Sequence, residues 1–465
     1  MSQTMPVIDP LVSELRTQID GSVIVAGDPD YDAARQIWNL ALEHRPRMIV
    51  ACANTSDVAV TMRLASRESI GVSVMATGHG VARVADDAIV ILTRSLQQLD
   101  IDPVTQTARV GAGVKWGAVL AEAQEYGLAP LLGSSGDVGA VGYTLGGGIG
   151  WLARKYGLSA DHVRSFEVVT VDGAVLNVSS SEHPDLYWAL CGAGTGTFVV
   201  VTAMEIDLVP VTEVYAGTLL YPAEDATDVM ARWRDWIGSA PDELTSSVVL
   251  MNFPPMDLVP EPLRGGSFVM VRGCWCGPLD QGAAQLAYWR KWRTPAMDMW
   301  GPMPFAAAET ISNDPADPMP SRSTTEWLRH LDDALIADLV RFAFTDGVPP
   351  VTMLEIRHVG GAVADPPPDA TSYGNRVAEL LLFAVGILPF PEARPAVDAH
   401  LEALTAALRP HVTGGAYLNF LDGPDRRTRT RSAMTSAAWA RLCAIKQAFD
   451  PQNLLGYGLD IPTAG

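Results

Sequence analysis

Gly133-Ser-Ser-Gly-Asp-Val-Gly139, continuing through Gly142-Tyr-Thr-Leu-Gly146-Gly-Gly-Ile-Gly150, is the stretch that decides the fold. Glycine at this density lets successive backbone N–H groups turn into one concavity, which is how a loop cradles a pyrophosphate without basic side chains. Surface turns rarely need so many glycines in a row. Upstream, Val74-Met-Ala-Thr-Gly-His-Gly80 places a strand before a tight glycine turn that carries a single histidine. Two other glycine clusters read differently. Gly111-Ala-Gly113-Val-Lys-Trp116 ends in Trp where a dinucleotide fingerprint needs its last glycine, so it is a turn before a helix. Gly192-Ala-Gly194-Thr-Gly196 leads into a strand at Phe198–Thr202, the reverse of the Rossmann order. No Walker loop, nucleophile elbow or zinc-protease helix is found.

Around these loops, short β-rich runs alternate with helical stretches. Strands are expected at 47–53, 71–76, 87–93, 107–111 and 166–171, and helices at 56–69, 116–126 and 186–190. Beyond about Val209 the character changes. Longer strands at 267–276, 351–360 and 379–388 stand between helical segments such as 225–237, punctuated by proline-rich loops at 254–262, 315–320 and 366–368. A second domain built on an antiparallel sheet follows from this pattern. The chain closes with a helix from Thr435, stopped at Asp450-Pro451.

Composition narrows the function. The 465 residues carry 33 Lys and Arg against 53 Asp and Glu, a net charge of -20. Such a surface repels phosphate backbones and anionic lipid, so nucleic acid and membrane are not expected partners; a small-molecule substrate is. The longest apolar run, Leu380–Leu388, falls far short of the ~18 residues of a membrane span. Asp9 and Glu14 precede the first basic residue and no apolar h-region follows, so a cytoplasmic protein without a signal peptide is expected. The five scattered cysteines, Cys52, Cys191, Cys274, Cys276 and Cys443, read as reduced thiols, and no metal site is expected.

Taken in order, Gly78-His79-Gly80, Ala108–Gly113, Gly133–Gly150, Trp151–Leu158 with Asp161, Val168–Gly173, Pro184–Ala189, Glu355–Ala362, Tyr417-Leu-Asn419 and Ala440–Lys446 with Phe449-Asp-Pro451 form one series. This series resembles the FAD-binding proteins of the vanillyl-alcohol oxidase/p-cresol methylhydroxylase superfamily, in particular the berberine bridge enzyme-like branch. The resemblance implies an α+β fold. A two-lobed FAD-binding domain of the p-cresol methylhydroxylase type (residues 1–208 and 425–465) would frame a substrate domain (209–424) with an antiparallel sheet covered by helices.

It implies FAD contacts from Met75, Ala76, Thr77, Gly78, His79 and Gly80, and from Ser134, Ser135, Val138 and Gly139. Gly142, Tyr143, Gly146, Gly147, Gly148 and Gly150, with Asp161, Val200 and Asn419, complete the cofactor set. His79 falls on the branch's flavin-linking histidine. Ser135 stands where many relatives have a second, cysteine link, so one covalent bond at most is implied. Three departures accompany the match: Met75 near a usual arginine, Cys191–Thr202 in place of an R-G-G-G-G-N-F-G run, and Gly458–Pro462 in place of N-Q-N-I-P.

The implied function is an FAD-dependent oxidase of a hydrophobic small molecule, with O₂ as reoxidant and a place in secondary metabolism. The alternative is a redox-neutral cyclase or lyase on the same fold, its flavin site degenerate or lost. Tyr417, placed on a strand, is the first candidate base, but its ordinary pKa near ~10 demands a neighbouring cation. Glu355 is the second, with Arg357 on the same strand face to hold it ionised.

Overall fold

The computed structural model describes residues 9–81, 83–257, 259–345, 349–366 and 370–463. Leu258, Pro367 and Pro368 of the expected proline-rich loops lie outside them. The N-terminal lobe holds two sheets. β1 (Ser22–Ile24), β2 (Met48–Ala51), β3 (Val72–Met75) and β4 (Ile89–Leu92) form the first, in the order β1-β2-β4-β3, with β4 parallel to both β2 and β3. Parallel strands require crossovers, and the helix Thr55–Glu68 supplies one between β2 and β3. Asn54 caps it by accepting the Asp57 N–H.

β5 (Leu99–Asp102), β6 (Thr107–Gly111), β7 (Val163–Val169), β8 (Val175–Ser179) and β9 (Val200–Asp207) form the second sheet, antiparallel throughout in the order β5-β6-β9-β7-β8. The third sheet holds β10 (Glu213–Pro222), β11 (Leu244–Asn252), β12 (Ser267–Trp275), β13 (Met297–Asp298), β14 (Gly301–Pro304), β15 (Ser321–Leu328), β16 (Met353–His358) and β17 (Leu380–Ile387). It runs β13-β10-β12-β11-β16-β17-β15, with β14 also on β10.

Period-2 alternation gives the third sheet two apolar faces. Val248, Val271, Ile356 and Leu382 pack under the helices Ala226–Ile237, Asp333–Ala343 and Arg394–Leu408. Ala216, Cys274, Trp327 and Leu381 belong to the core shared with the N-terminal lobe. β10, β11 and β15 escape the sequence reading because strands covered on both faces lose the polar half of their alternation.

The glycine run Gly142–Gly150 is not wholly loop: residues Ala140–Leu145 form a short helix that ends at Gly146. Tyr417 is not on a strand either. Tyr417-Leu418-Asn419 enters a 3₁₀ turn, Leu418–Phe420, and Ala416, Tyr417 and Leu418 already lie in the core of the N-terminal lobe.

The helix Ser436–Phe449 returns the chain to that lobe, and a buried ion pair secures it. Lys446 Nζ donates to Asp450 Oδ2 at 2.6 Å and to the Thr197 carbonyl at 2.7 Å, while Asp450 accepts the Leu454 and Leu455 N–H groups. The Leu454 carbonyl in turn accepts the Val72 N–H, which ties the terminal turn to the start of β3. Removing one partner of a buried pair strands the other charge away from water. Asp450→Ala should therefore cost about 3–5 kcal/mol in chemical denaturation, with flavin content and secondary structure recorded alongside.

Candidate functional site

Two loops far apart in sequence meet at the N-terminal lobe's edge. Ala140 donates its N–H to the Val114 carbonyl and Trp116 donates to Val138, which fixes the 133–139 loop to the turn before the helix Trp116–Gln124. Gly139 comes close enough to the 76–80 turn that a Cβ there would touch Thr77 at 3.5 Å. His79 stands between them. Its Nδ1 lies 2.9 Å from Thr77 Oγ1, its Nε2 3.8 Å from Asp137, and its ring stacks on Trp38 at 4.8 Å. Burial disfavours the imidazolium more than Asp137 favours it, so the pKa is lowered to about 4 and the ring is neutral at physiological pH. Ser135 Oγ accepts the Asp137 N–H, and Ser134 Oγ donates to Asp314 at 2.6 Å.

The glycines divide into two kinds. A Cβ on Gly146 would stand 1.9 Å from Asn419 Oδ1, on Gly148 2.5 Å from the Tyr143 ring, and on Gly150 1.8 Å from the Leu132 carbonyl. These are packing glycines, and Gly147 and Gly148 also hold positive φ. A Cβ on Gly80 or Gly142 would meet no atom within 4 Å. These two face open space, leaving backbone for a flat or phosphorylated ligand to approach. The Tyr143 hydroxyl is buried without a hydrogen-bond partner among the described residues. Neutral backbone, two bare glycines and an uncharged histidine fit a flavin dinucleotide. When bound, such a cofactor supplies the hydride acceptor that no side chain can.

At the inner end of the run, the Ile149 N–H and Asn419 Nδ2 donate to the Tyr417 hydroxyl at 2.9 and 3.2 Å. Asn419 also donates to the Tyr143 carbonyl. Tyr417 packs edge-on to Phe420, which stacks on Phe383 of β17 at 4.1 Å, and the Arg357 guanidinium lies 4.9 Å over Phe420. Burial raises the Tyr417 pKa and outweighs the two donated hydrogen bonds and the Arg357 field, so the resting group is a phenol.

Glu355 is buried on β16 and bonded to Arg357 Nε at 2.8 Å. There burial loses. Arg357 and Arg272 hold the carboxyl below its ordinary range, and it is ionised at neutral pH. The strand pair Glu355–Arg357 is therefore not a solvent-facing salt bridge.

Met75 and Ala76 lie at the end of β3 leading into the His79 turn. Asp161 and Val200 are engaged within the protein itself. Both oxygens of Asp161 are taken by Arg376 at 2.5 and 2.9 Å, and one also accepts the Leu158 N–H, so it ties the lobe to the 370–376 segment. Val200 is wholly buried at the start of β9. Trp38, Asp137 and Lys115, which pairs with Asp137, carried no sequence signal; only contact with His79 and its loop singles them out.

Comparison with known proteins agrees with this geometry. A family described as an FAD binding domain matches residues 46–179. An FAD-linked oxidoreductase of Bacillus subtilis is 28% identical over 457 residues, covering 96% of this chain and 98% of its own. The (R)-6-hydroxynicotine oxidase of Paenarthrobacter nicotinovorans is 38% identical over 192 residues, 41% of this chain and 42% of its own. The fold superposes on 6-hydroxy-D-nicotine oxidase of Arthrobacter nicotinovorans with TM-score 0.84 at 24% identity, covering 96% and 98% of the two chains. Berberine bridge enzyme of Eschscholzia californica gives 0.83 at 20%, covering 98% and 99%. The chain is thus similar to FAD-linked oxidoreductases over nearly its whole length, and its residues 46–179 match an FAD binding domain.

Proposed function

We propose that this protein is an FAD-dependent oxidase of a largely apolar small molecule in secondary metabolism, with its cofactor held through one covalent bond to His79. The substrate gives up a hydride equivalent and a proton, and O₂ leaves as H₂O₂. The observation that carries this reading is the junction at Tyr417, where a buried hydroxyl from the returning chain is held by the backbone of the glycine run. With two hydrogen bonds accepted, the Tyr417 O–H remains free to donate to a substrate heteroatom. Glu355 is already a carboxylate, and its Oε1 has no hydrogen-bond partner among the described residues. It is the proton acceptor in this reading and Tyr417 the orienting donor, the reverse of the order that the resemblance suggests.

Acid-precipitated protein should stay yellow, and His79→Ala should release the colour to the supernatant. Protein that is colourless even after incubation with FAD overturns the oxidase reading in favour of redox-neutral chemistry.

The pH profile separates the two proton-handling candidates. With Glu355 as acceptor, flavin reduction should hold from neutrality down to about the ordinary glutamate pKa of ~4.3 and fail only in stronger acid. A tyrosinate base, its pKa raised by burial, would keep the rate low until above pH ~10. Glu355→Gln should slow reduction by ~10²–10⁴-fold, and Tyr417→Phe, which deletes the donor to substrate together with the acceptor of the Ile149 and Asn419 hydrogen bonds, by about tenfold to a hundredfold. Thermal melts guard against misreading Glu355→Gln, since it also strands Arg357.

The glycines give a structural check. Gly146→Ala drives a methyl into Asn419 and should cost about 1–3 kcal/mol together with the Tyr417 contacts. Gly142→Ala meets nothing and replaces a helical glycine, so the fold should gain about 0.5–1 kcal/mol while flavin retention falls.

A further inference from the structure

Across the middle sheet, register sets Thr218 opposite Arg272, Arg272 opposite Ser247, and Ser247 opposite Arg357. Directly paired residues share a face, and this one looks to the N-terminal lobe, because Cys274 and Leu381 on it lie in the shared core. Arg357 has its carboxylate in Glu355. Arg272 feels that same carboxylate only through space: it is 3% exposed, makes no direct ion pair among the described residues, and its one hydrogen-bond contact is the Met270 sulfur, at 4.0 Å. Its Nε is buried without a partner.

Two hydroxyls nearby share that condition. Ser247 Oγ completes no hydrogen bond of ordinary geometry among the described residues, although it lies close enough to Glu355 to favour the carboxylate. Ser312 Oγ is also buried and unbonded; it follows Ile311, whose carbonyl accepts from Thr218, the cross-strand neighbour of Arg272. Asp314 acts on Arg357 through space while its hydrogen bond goes to Ser134. Buried polar groups are almost always paired, and an unpaired guanidinium is among the most costly to bury. Three polar groups left short of hydrogen bonds, on and beside one stretch of sheet, mark a place for an anionic oxygen group.

The surroundings suggest what carries it. On the same face, Met251, Phe268, Met353, Phe383 and Val385 are half-buried and apolar. Phe268 and Arg272 are four residues apart on β12, about 13 Å at ~3.3 Å per residue. We propose that Arg272, Ser247 and Ser312 form an anion-binding subsite and that the substrate is an amphiphilic organic acid. Its apolar body lies over the methionine and phenylalanine face while its carboxylate meets the Arg272 guanidinium. This rests on the oxidase reading only in taking this face of the sheet for the substrate's.

Benzoate and benzamide, equal in shape and different in charge, test it by isothermal titration on the purified protein, with flavin content recorded separately. Wild type should bind benzoate at least tenfold more tightly than benzamide and melt higher in its presence. Arg272→Met should remove that preference at nearly constant side-chain volume, with the melting temperature recorded alongside because the change also withdraws a charge that faces Glu355. Should Arg272→Met fail to fold, Ser247→Ala serves: it deletes one donor and should weaken benzoate severalfold, leaving benzamide unchanged. Equal binding of the two ligands by wild type, or an undiminished preference in the variants, overturns the subsite and leaves bound water as its occupant. Colourless protein that still prefers benzoate refutes the oxidase reading alone; yellow protein without the preference refutes the subsite alone.

Discussion

Everything at the centre of this molecule depends on backbone that carries no side chains. The carboxamide of Asn419 occupies the volume that a Cβ on Gly146 would need, and the Tyr143 ring occupies that of Gly148. That close approach lets the returning chain place Tyr417 against the Ile149 N–H, and Tyr417 in turn supports Phe420 and the Phe383 stack on the middle sheet. A methyl group at Gly146 would push back Asn419 and the returning segment that carries Tyr417. Close packing transmits such a displacement rather than absorbing it.

Charge is distributed by the same economy. A chain with net charge -20 keeps several of its arginines inside: Arg154, Arg272, Arg376 and Arg426 are all at most 5% exposed. Arg376 meets Asp161 in a two-pronged pair, and Arg154 is shared among the Val359 and Ala240 carbonyls and Asp242. These contacts hold lobe against sheet. Near Glu355, buried guanidiniums keep a carboxyl ionised in surroundings that would otherwise protonate it, whereas at Tyr417 the same burial keeps a phenol neutral. Two acids a few residues' width apart thus differ in charge at neutral pH, and that difference divides acceptor from donor.

Much of the architecture was legible along the chain. The strand at Thr107–Gly111, the helix starting at Trp116 and the final helix before Asp450-Pro451 appear at or within a residue or two of their expected bounds. The loops around His79 and Gly133–Gly150 announced themselves by glycine density, and they do converge. What misled was context. Tyr417-Leu-Asn419 alternates like a strand, yet its side chains converge through a 3₁₀ turn.

The sequence by itself determined the class of fold, the two glycine loops and the single histidine between them, because glycine's freedom and strand periodicity act over a few neighbouring residues. Which polar groups are paired was decided only in three dimensions. Arg272 and Arg357 look alike on paper, each alternating along a buried strand. One faces Glu355 from its own strand and the other faces Ser247 across a register that spans more than twenty residues of intervening chain. Pairing energy depends on distance in space, and that distance exists only once the sheet has closed.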